Sequence, residues 1–227
     1  MSHNPIIIAL DVETAEQARS LVAQLGPTVD FYKVGLELYV SAGTDFVSEL
    51  IANGKQVFLD LKMYDIHETV KRAVAQVAKR GVRFLTVHAS HQVMQAAAEG
   101  KGASNLQILG VTVLTSVDQS DLERDGISYL LKELVELRVR NAMSAGVNGI
   151  VCSPHEVKRA REIMGPDAVL VTPGVRSAGS AAGDQKRVMT PREAIDNGAS
   201  YLVIGRQVTR AADPQAEVIR IQQELKP

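Results

Sequence analysis

The chain has no tryptophan, one cysteine, and only five tyrosines and four phenylalanines among 227 residues. Cys152 alone cannot form an internal disulfide, and no Cys/His spacing suggests a zinc site, so the fold is suited to reducing conditions. The aromatics are scattered where a base-stacking surface would need them clustered, and a net charge of −1 gives no electrostatic footprint for nucleic acid. No apolar run approaches the ~18 residues that suggest a membrane span. Met1, Ser2, His3, Asn4 and Pro5 lead straight into a strand-like run, without the basic, apolar and small-residue succession of a secretory leader; a cytoplasmic location is expected. No Gly-x-Gly-x-x-Gly follows the first strand and no Walker-type loop is present, so a Rossmann dinucleotide site has no support. A small-molecule substrate is the remaining default.

What is present is core-forming residue in a repeating order. Apolar residues make up 45% of the chain. Residues 5–10 are a continuous apolar run, as expected of a strand buried on both faces. A helix follows: Thr14 and Gln17 form a capping box, Ala18, Leu21, Val22 and Leu25 share one face, and Gly26 with Pro27 stop it. The same unit recurs with strands at 31–34, 56–61, 83–87, 107–114, 149–152, 168–172 and 201–204. Helices are predicted near 45–52, 68–79, 92–98 and 129–144, and from about Pro154, Pro191 and Pro214. Eight strand–helix units without a hairpin signal predict an α/β fold, one (β/α)8 TIM barrel domain over residues 1–227. The connection 173–190 carries five Ala or Gly residues between Ala178 and Gly183 and is expected to be a mobile lid.

Active sites of this barrel lie at the C-terminal ends of the strands. There the chain places Asp11 after the first strand, Lys33 at the second, Asp60 and Lys62 at the third, His88 at the fourth, Thr115 at the fifth and Arg206 after the eighth. Strand alternation puts Asp60 and Lys62 on one face, with Asp65 one short turn later. A structural ion network is the bland alternative, but buried charges cost several kcal/mol each, and function is the usual reason to keep such a cluster. Two unit charges ~4 Å apart attract by ~4 kcal/mol at an effective dielectric of ~20. Lys62 is therefore expected as a charged acid, not as a Schiff-base nucleophile. A second constellation sits after strands 7 and 8, where barrels often bind phosphate: Pro173, Gly174, Val175 and Arg176, then Gly205 and Arg206, with Gln185 available from the lid. The alternative there is ordinary turn glycines and solvated arginines. His88 is not assigned to catalysis, Cys152 reads as a small buried apolar residue, and Lys71, Arg72, Lys158, Arg159 and Arg161 read as solvated helix faces.

Together these residues resemble the orotidine 5′-phosphate decarboxylase family along the whole chain. The supporting segments are Ala9-Leu10-Asp11, Lys33-Val34-Gly35, Asp60-x-Lys62-x-x-Asp65, Val87-His88-Ala89, Leu114-Thr115-Ser116, Thr172 to Arg176, and Ile204-Gly205-Arg206. The resemblance implies decarboxylation of orotidine 5′-phosphate to UMP, the last step of de novo pyrimidine synthesis, with neither metal nor organic cofactor. It implies that Lys62 protonates C6 while Asp60 and Asp65 hold it and crowd the substrate carboxylate. It further implies that Asp11 and Lys33 bind the ribose, that Thr115 or Ser116 binds the pyrimidine, and that Arg176, Gln185, Gly205 and Arg206 bind the phosphate. In family members Asp65 and Ile66 serve the neighbouring subunit's site, which implies a homodimer; Thr69 follows in the same motif. The chain departs from the family at His67, where proline is usual, losing a fixed φ at the entry to a helix. Two rivals are a magnesium-dependent sugar-phosphate decarboxylase or aldolase of the same superfamily and a non-catalytic nucleotide-binding barrel. The first needs Glu where this chain has Lys33, and the second has no need of Lys62.

Overall fold

The computed structural model of the chain describes residues 4–178 and 189–226. Eight parallel strands, β1 (Ile6–Ala9), β2 (Phe31–Gly35), β3 (Gln56–Met63), β4 (Phe84–His88), β5 (Gln107–Val111), β6 (Gly149–Val151), β7 (Val169–Thr172) and β8 (Tyr201–Ile204), pair in sequence order, and β8 returns to β1 to close a barrel. Around it run α1 (Ala15–Leu25), α2 (Leu36–Ala52), α3 (His67–Ala78), α4 (His91–Lys101), α5 (Gln119–Arg124), α6 (Leu131–Ser144), α7 (Val157–Met164), α8 (Pro191–Asp196), α9 (Arg206–Thr209) and α10 (Pro214–Glu224). This is the (β/α)8 TIM barrel predicted from the alternation. Among the described residues no helix is long and apolar enough to cross a membrane.

Period-two alternation sorts each strand into two cores. Ile6 and Ile8 of β1 join the outer core with Ala18, Leu21 and Leu25 of α1, while Ile7 and Ala9 join a separate cluster with Phe31, Phe58, Phe84, Leu109, Val171, Tyr201 and Val203. The inner cluster is aromatic toward the strand N-termini. Phe84 lies 5.1 Å from Phe31 and 5.2 Å from Tyr201, ring centre to ring centre. The Arg83 guanidinium covers Phe31, Phe84 and Tyr201 at 5.3, 5.4 and 5.4 Å and donates to Gln56 and the Tyr201 hydroxyl. With that end filled, the inner positions two and four residues further along each strand are free to be polar. They are Lys33 and Gly35 on β2, Asp60 and Lys62 on β3, and Thr86 and His88 on β4.

Some boundaries differ from those expected. β5 ends at Val111, not at 114, because Val113 and Leu114 are apolar for another reason: they line the barrel mouth in a turn closed by Val117 N–H on the Leu114 carbonyl at 3.0 Å. α2 begins at Leu36, directly after β2, and breaks at Gly43, where φ is 67°. Its first arm escaped the pattern because Leu36 and Val40 are exposed. α7 starts at Val157, three residues past Pro154. Arg161, read as solvated, is instead a staple at the N-terminal end of the barrel. Its guanidinium donates to the carbonyls of Gly165, Pro166, Ala168 and Gly198 and to the Ser200 hydroxyl, at 2.8–3.1 Å. Lys71 and Arg159 are ion-paired across helices, to Glu99 at 2.9 Å and Glu136 at 3.0 Å.

Candidate active site

The charges at the strand ends form a row. Lys33 Nζ donates to Asp11 Oδ1 at 2.7 Å and lies 3.7 Å from Asp60 Oδ2, which also accepts from Lys62 Nζ at 2.9 Å. Lys33 and Asp60 are nearly buried, with side chains 11% and 13% exposed, while Lys62 reaches toward the opening at 29%. Gly35 makes room for the first pair: a Cβ there would stand 3.1 Å from Lys33 Nζ and 3.3 Å from Asp11 Oδ1. Burial pushes the Asp60 carboxyl up, but the Lys33 and Lys62 charges, with hydrogen bonds from Lys62 and Thr86, together outweigh it and hold the group below its ordinary value.

Lys62 is also distinguished by its backbone. It is the one non-glycine with positive φ among the described residues, at 48°, a conformation that costs about 1–3 kcal/mol. The β3–β4 ladder shifts register between Leu59 and Met63, around this point. Thr86 holds the distortion from both sides: its hydroxyl accepts the Lys62 N–H at 2.9 Å and donates to Asp60 Oδ1 at 2.8 Å. Sequence reasoning gave Thr86 no role. The β3–β4 register supplies the reason: Phe58 pairs with Phe84, and Asp60 and Thr86 each lie two residues beyond.

Asp60 and Lys62 line a cavity of about 240 Å³ together with the apolar Val111, Val113, Val151, Cys152 and Pro173. Thr115 and Ser116 both line it. Cys152 is buried. A larger groove, about 510 Å³, lies between α6 and α7 and holds none of the predicted site residues.

The loops after β7 and β8 meet beside this row. Gly174 takes φ of 78°, a conformation open to glycine, and the next residue bridges to Met189, with Arg176 N–H on the Met189 carbonyl at 3.0 Å. The two stems of the 173–190 connection are thereby joined; residues 179–188, and with them Gln185, lie outside the described residues. Arg176 is half-buried and donates to the Val175 carbonyl at 2.7 Å; burial first, then the nearby Arg206 charge, draws its pKa down. Arg206 opens α9 directly after Gly205, and a Cβ on Gly205 would come within 3.8 Å of Asp11 Oδ2. The Gly205 turn that leads into Arg206 therefore adjoins the Asp11 end of the charged row.

Asp65, Ile66 and Thr69 stand apart from it. The spacing suggested that Asp60, Lys62 and Asp65 cluster, but within one chain Asp65 is exposed, accepts its neighbour Ile66 N–H at 2.7 Å, and makes no ion pair with Lys62. Beyond Met63, the last residue of β3, the chain leaves the barrel, and Tyr64 and Ile66 are 69% and 72% exposed. Thr69 falls in the first turns of α3, which His67 opens with Nε2 3.5 Å from Glu99 Oε1 on α4. His88 is half-buried and edge-on to Tyr64 at 5.4 Å; burial, then the Arg138 and Lys62 charges, lower its pKa. Among the described residues no group of three or more His, Cys, Asp or Glu side chains is placed to hold a metal ion.

The chain is similar to known proteins along nearly its whole length. The profile of the Orotidine 5′-phosphate decarboxylase / HUMPS family matches residues 4–221. A Rhodopseudomonas palustris protein named orotidine 5′-phosphate decarboxylase is 50% identical over 220 residues, covering 97% of this chain and 94% of its own. One of the same name from Bradyrhizobium diazoefficiens is 49% identical, with 97% and 93% covered. The crystal structure of orotidine 5′-phosphate decarboxylase from Lactobacillus acidophilus superposes with a TM-score of 0.85 at 36% identity, covering 99% of this chain and all 100% of that one.

Proposed function

The chain belongs to the orotidine 5′-phosphate decarboxylase / HUMPS family, and from that premise we propose that it converts orotidine 5′-phosphate to UMP in pyrimidine synthesis, without metal or organic cofactor. The observation that carries the reading is the Lys62 ammonium, fixed on Asp60 at 2.9 Å beside an apolar cavity wall. Loss of carbon dioxide from C6 leaves an electron pair in the plane of the pyrimidine, where the ring cannot delocalise it. Fixed positive charge must stabilise it, and a preorganised ammonium in a site shielded from water does so without reorganisation. Lys62 then supplies the proton to C6.

The other residues follow from that placement. Asp60 anchors Lys62 and crowds the substrate carboxylate; Asp11 and Lys33 take the ribose; Thr115 or Ser116 takes the base. Arg176, Gln185, Gly205 and Arg206 take the phosphate, and the 173–190 connection closes on it, so that remote binding energy serves the reacting carbon. Asp65, Ile66 and Thr69 act in a second subunit's site. The exposure of Asp65 and of the apolar Tyr64 and Ile66 supports this homodimer reading. Lys33 argues against a magnesium-dependent sugar-phosphate reaction, since its ammonium stands at the strand end where a metal-binding carboxylate is needed.

Purified protein treated with EDTA is expected to turn orotidine 5′-phosphate into UMP, followed as a fall in pyrimidine absorbance. Absence of conversion, or activity only after a divalent metal is returned, would refute the proposal.

A further inference from the structure

Each of the two phosphate-side arginines is followed by a residue that bonds the residue after the other. Ser177, next to Arg176, is 3% exposed. Its N–H donates to Gln207 Oε1 at 3.2 Å, and Gln207, next to Arg206, donates from Nε2 back to the Ser177 hydroxyl at 2.8 Å. The pair rests on α10. The Ser177 hydroxyl donates to Glu224 Oε2 at 2.9 Å, Gln207 Nε2 also donates to Glu217 Oε1 at 2.9 Å, and Arg220 bonds both glutamates.

Physical need and geometry coincide here. Arg176 and Arg206 sit on separate connections, after β7 and after β8, and the pKa of Arg176 is drawn down by burial first and then by the nearby Arg206 charge. An amide suits the junction because it offers one acceptor and two donors in a plane, and Gln207 uses all three functions at once. Glutamate would lose the donors and face Glu217; leucine would fill the space and bond nothing.

We propose that Gln207 is a positioning residue: paired with Ser177, it locks the connection carrying Arg176 onto the helix carrying Arg206, presetting both guanidinium groups for one phosphate. Less ordering then remains to be done on binding. The inference rests on the phosphate role given to the arginines above.

The test compares wild type, Gln207→Leu and Ser177→Ala with orotidine 5′-phosphate and with phosphate-free orotidine, and measures inorganic phosphate binding by calorimetry. Gln207→Leu is expected to lower kcat/KM for the phosphorylated substrate about tenfold, mainly through KM, and to weaken phosphate similarly. Its kcat/KM for orotidine should stay within about twofold of wild type. Ser177→Ala keeps the backbone N–H bond and should show a smaller loss of the same kind. Equal losses on both substrates, or unchanged phosphate binding, overturn the clamp. If Gln207→Leu does not fold, the two-substrate ratio of Ser177→Ala decides. A wild type inactive on orotidine 5′-phosphate would instead overturn the proposed function, and phosphate binding alone would then judge the clamp.

Discussion

At the scale of single residues the pivot is Asp60, the carboxylate shared by Lys33 and Lys62. Its folded pKa lies below the ordinary value of 3.8 because the two ammonium groups and Thr86 outweigh burial. Ionised Asp60 therefore stabilises the fold above about pH 4, and that contribution is lost as pH falls through the lower folded value. Asp60→Asn removes it and leaves two ammonium groups without their common counter-charge. We expect a loss of roughly 3 kcal/mol at pH 7, measured by urea unfolding, that narrows below about pH 4. A gap independent of pH would contradict the assignment. Lys33, Asp60 and Lys62 were legible in the sequence because a charge at the end of an apolar strand is costly to bury and is kept where chemistry uses it. Asp65 was misplaced within the chain because spacing cannot reveal that Lys62 turns the backbone. Thr86 was missed because a threonine in a strand is commonplace until its register against Asp60 is known.

At the scale of elements, the alternation of apolar runs with capped helices gave all eight strands, since parallel barrel strands are buried on both faces and read as continuous apolar segments. The short α5 and α9 and the first arm of α2 were not legible. Helices of six and four residues carry too few turns to show a face, and neither α5 nor α9 opens on a proline as the equally short α8 does; the α2 arm exposes its apolar residues. Arg161 shows the same limit for a side chain: on a polar helix it looks solvated, and only the closed barrel brings the β7 and β8 entrances to it. Arg161→Ala is expected to destabilise the fold by about 2–4 kcal/mol, seen as a lower Tm, by stripping carbonyls of a charged donor. Because Arg161 serves the end opposite the candidate site, kcat/KM should be unchanged at temperatures where the variant is folded. An intact Tm, or lost activity with an intact Tm, would contradict this division between ends.

At the scale of the whole molecule, one barrel supplies the Asp11–Lys33–Asp60–Lys62 row, the apolar cavity and the arginine loops, but turns Asp65 and Ile66 outward. Nothing in composition or periodicity predicts a second subunit; that expectation came with the family resemblance, and the exposed Tyr64 and Ile66 give it a physical basis. The central claim is that Lys62 of one subunit works with Asp65 of another. Lys62→Ala and Asp65→Asn should each be inactive alone on orotidine 5′-phosphate. Unfolded together in equal amounts and refolded, half of the dimers will be mixed, each with one site that has both native residues, so about a quarter of wild-type activity should return. No recovery in the mixture, or near-normal turnover by Lys62→Ala alone, would contradict the account.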